Sequence, residues 1–589
     1  MNRKPIAGLG IERSLHDFII QEALAGTGLS AHQFWSGLAQ LVAEFTPRIH
    51  AALEHRIDLK RKIDAHVQQG GSSAPAELET ILREPGVIAE AAAEPLAPPP
   101  HIDAALLSKM PQLLAPASSP RYLAHAVSQR WSSLYDALYT RNLIAERGEP
   151  GAAYDISRGK AVIAEGRAFL DAVAPLHTGS HAAASAYSLE AGALVVALAD
   201  GTRTTLLRAD DFLGFQGRPT APTAFLLRHK GLHFEIAIDR QSRTGQDDPA
   251  GIADIILESA LTATIDFADT FIAVDAPDRV SAYRNWLGLL KGSLRTQFRK
   301  KGKLIDRLLA ADRRYTAPNG ASFVLPGRAL LQLRLAGLQG RTDLILDAAN
   351  APIADLLLDL AVTCLIAIQD LKKPKPPRNS DTGSIYVTMS KLDGPDEIAL
   401  ACDLLARLET VLRLPAGTIK LGLADYGTRT ILDLKASLAK AAARLASLEV
   451  NASCFDRDIA QIEACGFKGR IQIVRDARAD AEALIALMSP QRAPDAPALR
   501  MPGAVATTLA ALHVFLGETV ESPDAASMDL AAPLPSAASP VPSVEDITAE
   551  LDKECTRVLG LLAHAIGQGD GSRRSSEGYG RIEDRADLR

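Results

Sequence analysis

The sequence predicts an α/β protein whose core is a parallel sheet of repeated β-α units. Three observations carry this. From about residue 262, short apolar runs alternate with helical stretches: TATIDFAD, LLQLRLAG, CLIAIQDL, GSIYVTMSK, TIKLGLAD and GRIQIVRD, with helical segments such as Ile398–Leu412 and Leu434–Leu448 between them. Repetition of this kind favours a parallel barrel or a doubly wound sheet. Several runs end in an acid or an arginine, at Asp269, Arg334, Asp370, Asp425 and Asp476. In a β/α barrel the C-terminal strand ends build the active site, although each acid taken singly reads equally well as a turn or N-cap residue. With 589 residues, the chain is also too long for one ordinary domain.

The other elements follow in order. Residues 12–68 read as helices, with Leu38, Leu41, Val42 and Phe45 at helical spacing. Glu84–Pro100 is rich in Ala and Pro and reads as a linker. Between Leu189 and Asp239 the runs ALVVALAD, TTLLRAD, AFLLRH and LHFEIAID alternate as antiparallel strands do. His233 and Glu235 share one face of such a strand; a satisfied sheet histidine is the plainer reading of that pair than a metal site. Ser522–Ser543 is a second linker, Val544–Gly567 an amphipathic helix, and Gln568–Arg589 a polar, glycine-rich tail.

Composition excludes some functions. A net charge of −6 argues against nucleic acid as the main partner. The five cysteines form no C-x-x-C pair, which gives no zinc signature and suits the cytoplasm. The most apolar long stretch, Ile353–Ile368, carries Asp355 and Asp359 and is too polar to span a bilayer, and the N-terminal residues lack a signal peptide's apolar core. The phosphate-loop and nucleophile-elbow motifs are missing.

The run Ala273–Leu294, AVDAPDRVSAYRNWLGLLKGSL, closely resembles a segment of the malate synthase G family. Other pieces follow in the family's order: GTGL with Phe34-Trp35, RWSSLYDALY, GSH, GLHFEIAID, AGIADIILESA, GRALLQLR, NSDTGSIY, GPDEIA, LPAGTIKLG, ATTLAALH and ELDKECTRVLG. The resemblance implies a TIM-type (β/α)8 barrel core, an N-terminal helical clasp, an inserted α/β domain and a short C-terminal helical segment. In these terms residues 1–100 are clasp and linker; 101–135, 263–294 and 330–521 are barrel, with RWSSLYDALY its first segment. Residues 136–262 and 295–329 are the insertion, 522–543 a linker and 544–589 the shortened C-terminal region. Before GRIQIVRD the chain is several tens of residues shorter than the family's, so closure of the barrel stays open.

The implied activity is a glyoxylate-cycle transferase reaction, in which acetyl-CoA, glyoxylate and water give malate and CoA, carried out by a monomer with Mg²⁺. Such chemistry needs a base for the methyl proton, a cation on the aldehyde and a positive group for the developing oxyanions. By resemblance, Arg334 is the catalytic arginine and Glu518 stands where the family has its aspartate base. Arg130, Trp131, Arg307 and Thr270 match positions that contact acetyl-CoA, and the basic run Arg295–Lys303 is either a solvated face or an attraction for CoA phosphates. The metal ligands depart from the pattern. Where the family has D-E-E-R-R-T, the chain has Asp425-Tyr426-Gly427-Thr428-Arg429-Thr430, so both glutamates are replaced. Asp425 and Asp456 are the candidate ligands that stay. The family's E-D-S is Ala268-Asp269-Thr270. Three readings therefore stand open: a malate synthase-like acyltransferase with a depleted Mg²⁺ site, a catalytically silent or repurposed relative that keeps the scaffold and a CoA pocket, and a metal-independent enzyme acting on another acyl-CoA.

Overall fold

Among the described residues the parallel sheet has seven strands: β1 (Gln112–Pro116), β2 (Thr262–Asp266), β3 (Leu330–Leu335), β4 (Ile385–Ser390), β5 (Ile419–Ala424), β6 (Leu445–Asn451) and β7 (Arg470–Val474). They lie side by side in chain order, every neighbour parallel. A doubly wound sheet reverses its strand order at a switch point; this one does not, which is the order of a β/α barrel. The computed structural model describes residues 3–68, 101–140 except 109 and 111, 154–268, 271, 273, 275–300, 303–373, 378–424, 434–451, 470–474, 508, 511, 512 and 515. The chain divides into the units Met1–Thr519 and Val520–Arg589. The second unit, with the linker, helix and tail expected there, lies outside the described residues, as does the Glu84–Pro100 linker. No helix among the described residues is long and apolar enough to cross a membrane.

Among the described residues, the helices around the sheet include α1 (Ala31–Gln68), α2 (Ala276–Lys291), α3 (Asp355–Leu371), α4 (Gly394–Leu412) and α5 (Leu434–Ala441), and the helix Pro120–Val127 packs on β1. Three expectations are corrected. CLIAIQDL is the second half of α3, not a strand. The helix is buried along nearly its whole length, so its apolar run carries no clear period and reads as a core strand. Asp370 is therefore not a strand-end acid: it ends α3 and accepts the Asn379 backbone N–H at 2.8 Å. The expected helix Leu434–Leu448 stops at Ala441, and strand β6 begins at Leu445. RWSSLYDALY does not open the barrel, for β1 does; Trp131–Ser133 is the edge strand of an antiparallel sheet, paired with Ile252–Glu258, and Leu134–Tyr139 is a helix.

That antiparallel sheet runs in the order Ser322–Leu325, Arg313–Thr316, Phe212–Arg218, Ala221–His229, Leu232–Ile238, Ile252–Glu258, Trp131–Ser133. It has its own apolar core with the helix Ile156–Val173, built on Phe169, Phe225 and Phe234. The buried Arg167–Asp248 pair locks it, Arg167 also donating to the carbonyls of His181 and Ala184. At the N-terminal end, α1 is tied to α4 by Arg48–Asp403, Arg56–Glu397 and Arg407–Glu44.

Helix α2 holds most of the run that marks the family resemblance. The Asp275 carboxylate caps its N-terminus at the Asp278 N–H, 3.0 Å away, and Gly292 at φ 76° ends it. Arg279, Tyr283 and Trp286 fall on one face and all reach α3. Arg279 forks onto Asp355 and Asp359 at 2.8 Å each, the Tyr283 hydroxyl donates to Asp359 at 2.6 Å, and the Trp286 indole N–H donates to the Thr363 carbonyl at 3.0 Å. The residues of this run are thus spent on joining two helices outside the barrel. Removing one member of a buried pair leaves the other charge desolvated, which costs roughly 3–5 kcal/mol. Asp359 is 1% exposed against 19% for Asp355. Asp359→Ala should therefore lower the urea midpoint far more than Asp355→Ala; equal losses would place the tie elsewhere.

Candidate active site

Strand alternation sorts the barrel residues into two faces. Outward, Ala263, Ile265, Leu331, Leu333, Leu335, Ile385, Val387, Met389, Ile419, Leu421 and Leu423 join the main apolar core with the helices. Inward, the lowest level is apolar: Leu330, Tyr386 and Ala446 close on Leu106 of the short helix Ala104–Leu107. Asp103 anchors this floor, accepting from the Ser380 hydroxyl at 2.6 Å, the Asp381 backbone N–H at 2.6 Å and the Tyr386 hydroxyl at 2.8 Å. NSDTGSIY is thus part of the floor, at the end of a barrel where family features read as stability rather than catalysis.

Above the floor the inward residues are polar. Thr264, Gln332, Thr388 and Ser447 face inward between the strand ends and are all buried. Gly422 belongs there because any Cβ would collide with the Thr388 and Ser447 hydroxyls. Lys420 is also buried, and burial, followed by the nearby Arg444 charge, lowers its pKa from the ordinary lysine value. At the C-terminal strand ends stand Asp266, Arg334, Ser390 and Glu449. Asp266 and Arg334 are register partners across β2 and β3. Arg334 is 7% exposed, and its Nε donates to Ser390 Oγ at 3.2 Å, which fixes the plane of the guanidinium.

Glu449 is a carboxylate that sequence reasoning missed. A bulge in β6 pairs Leu421 with Leu445 but Gly422 with Ser447, so Ala446 is the extra residue. The bulge inverts the parity beyond it: Leu445 and Leu448 join the outer core, while Ser447 and Glu449 turn inward. Glu449 is 5% exposed and stands opposite Ala424, the residue just before Asp425. The alternation in SLEVN was the available signal, obscured because the helix expected over Leu434–Leu448 runs into its first two residues.

Of the residues expected at the site, Arg334 is at the barrel mouth. Thr270, Asp425, Asp456 and Glu518 lie outside the described residues. Arg130 and Trp131 lie at the edge of the antiparallel sheet and are engaged there. Arg130 pairs with Glu258 at 2.6 Å, the Trp131 indole N–H donates to the Pro326 carbonyl at 2.9 Å, and the Arg313 guanidinium sits 4.9 Å over its ring. Arg307 lies on a separate hairpin, Arg295–Lys300 with Lys303–Leu308, where it contacts His125 at 2.8 Å and stacks on Phe298. The basic run thus forms that hairpin. His233 and Glu235 make no metal pair: His233 Nδ1 meets Glu258 at 2.7 Å, while Glu235 accepts from Arg313 and Tyr315. No three metal-ligating side chains come together among the described residues. Mg²⁺ binds hard oxygens and often takes only one or two protein carboxylates, the rest being water. The inward Glu449 supplies such an oxygen donor, so the donor chemistry at this mouth fits the ion.

Glu258 ties these groups together. Burial alone would raise its carboxyl, but the Arg130 charge and the His233 hydrogen bonds outweigh it and hold the pKa at about 2, below the ordinary 4.5. The unfolded chain therefore binds a proton first on acidification. The stability from this group is complete above about 4.5 and drains away as the pH falls toward about 2. Glu258→Gln should melt below the native protein at pH 7, and the gap between their melting temperatures should shrink as the pH falls through that window. A gap independent of pH would contradict the assignment.

Comparison with known proteins agrees with the architecture. Residues 14–69 match the family model for the malate synthase N-terminal domain, residues 154–229 the malate synthase G alpha-beta insertion domain, and residues 331–483 the malate synthase TIM barrel domain. The chain is 35% identical to malate synthase G of Halalkalibacterium halodurans over 636 aligned positions, covering 99% of this chain and 86% of that one. It is 36% identical to the malate synthase G proteins of Corynebacterium efficiens and Corynebacterium glutamicum, over 77% of this chain and 61% and 62% of theirs. With seven in-order parallel strands, an inserted antiparallel sheet and this identity along almost its whole length, the chain belongs to the malate synthase G family.

Proposed function

We propose that this protein condenses acetyl-CoA with glyoxylate and hydrolyses the product thioester to malate and CoA, as a monomer in the cytoplasm. The observation that carries the reading is Arg334, buried on the inward face at the C-terminal end of a barrel strand. That is where β/α barrels place their chemistry, and the sealed floor leaves the strand-end side as the approach.

The steps assign roles to this chain's own residues. Glu518 takes a proton from the acetyl methyl group. The resulting carbon nucleophile attacks the glyoxylate aldehyde carbon and forms the new C–C bond while the carbonyl π bond opens to an alkoxide, which takes up a proton to become the hydroxyl of malate. Water then cleaves the thioester, releasing the CoA thiol and leaving the second carboxylate of malate. Arg334 faces the oxygens on which negative charge develops, and Ser390 holds its plane before the substrates arrive, so little reorganisation is needed as charge builds. Mg²⁺, when bound, polarises the aldehyde; Glu449, with Asp425 and Asp456, would hold it. Arg130, Trp131, Thr270 and Arg307 are the residues assigned to acetyl-CoA. Because Arg130 is already paired with Glu258, its part there is to shape the surface rather than to offer a free charge.

The replacement of both glutamates by Tyr426-Gly427 favours a second reading, a silent relative that still binds CoA. Thiol release separates the two. The purified full chain with acetyl-CoA, glyoxylate and Mg²⁺ should release CoA. Arg334→Ala should reduce the rate about 10²- to 10³-fold, and Glu518→Ala and chelation should each suppress it. No release, while CoA still raises the melting temperature, would replace the first reading with the second. Release that survives chelation would remove Mg²⁺ from the account.

A further inference from the structure

Strand β3 carries two inward hydrogen-bond donors, and only the upper one has been given a role. Gln332 lies two residues before Arg334 on the same face, about 6.6 Å below it at the usual strand rise. It is 2% exposed, and its Nε2 has no hydrogen-bond partner among the described residues. Its register partner on β2, Thr264, already accepts a hydrogen bond from the Gln112 amide.

Burying a carboxamide N–H unpaired is unfavourable. Barrel interiors are ordinarily filled by branched aliphatic side chains, and β3 itself has Leu330 at its previous inward position. A leucine at 332 would avoid the penalty. A donor kept there, between an apolar floor and a buried guanidinium, is explained by an acceptor that arrives with a ligand. The acceptor must be small, because the floor lies one inward position below Gln332. The long pantetheine arm of an acyl-CoA does not suit that depth, whereas a two-carbon oxyacid does. Its carboxylate would take charge-assisted hydrogen bonds from Arg334 and a further one from the amide.

We infer that Gln332 is a substrate-binding residue whose amide donates to an oxygen of the small 2-oxo acid held by Arg334. This rests on the proposed function, which puts an oxyacid at the barrel mouth. It adds a specificity element, since a 2-oxo acid with a larger side chain would crowd the amide.

The test uses oxalate, an unreactive two-carbon acid, titrated into the full chain with Mg²⁺ and no acyl-CoA, and followed by calorimetry and thermal melting. Gln332→Leu should melt at or above the native temperature without ligand and bind oxalate about 10- to 100-fold more weakly. Gln332→Met, unbranched and of similar length, repeats the comparison should the leucine variant fold poorly. Gln332→Glu, which faces the acid with a carboxylate, should abolish binding. Native oxalate affinity in the leucine or methionine variant would overturn the inference alone and leave a buried water as the amide's partner. If neither oxalate nor glyoxylate binds the native protein, both this inference and the proposed function fall.

Discussion

The inward and outward faces of the barrel strands impose opposite demands, and the rest of the molecule follows from meeting both. Outward residues must fill the gap to the helices, so β2 to β5 present Leu, Ile, Val, Ala and Met to one continuous core. Inward residues line a concave face whose lower end is covered by Leu106 and Tyr386. With that end sealed, polar groups on the inward face can be desolvated and held in place, and that is the condition under which a guanidinium stabilises developing charge strongly. The division is kept even where the sequence slips by one residue: the bulge at Ala446 restores parity, so that Leu448 stays outside and Glu449 comes in.

Many of the residues that announce the family brace the scaffold and lie away from the polar inward face. Arg279, Tyr283 and Trp286 bind α2 to α3, and Asp103 with the Ser380–Ser384 turn braces the floor. A chain can keep all of these and still change its chemistry. That is why the replaced glutamates after β5 weigh more on mechanism than the long matched run does. Conversely, Glu449 belongs to no quoted motif and Gln332 sits unremarked inside GRALLQLR, yet both stand on the inward face of the barrel strands.

Much of the fold was legible in the sequence, and the failures have physical causes. β2, β3, β4, β5 and β7 were visible because short aliphatic runs ended at charged or turn residues. α3 was misread where its apolar run covers every side of the helix, which erases the 3.6-residue period. β6 was lost inside an alanine-rich stretch with strong helix propensity, and Glu449 was lost with it. The strand ending at Arg334 was legible from the run LLQLR. The engagement of Arg130 and Trp131 with Glu258, Pro326 and Arg313 was not, since it depends on contacts between residues far apart in sequence. Gln332 could not be singled out, since its significance lies in the partner it lacks.

The central claim is that outward polar residues hold the fold and inward ones act on substrate. One paired measurement tests it most directly: melting temperature and CoA release recorded together for Arg334→Gln and Arg279→Gln. The account predicts that Arg334→Gln melts close to the native protein and loses turnover. It predicts that Arg279→Gln melts well below it, while the molecules still folded turn over at near-native rates. If Arg279→Gln lost turnover at an unchanged melting temperature, or Arg334→Gln lost stability and kept turnover, the division of the two faces would be contradicted.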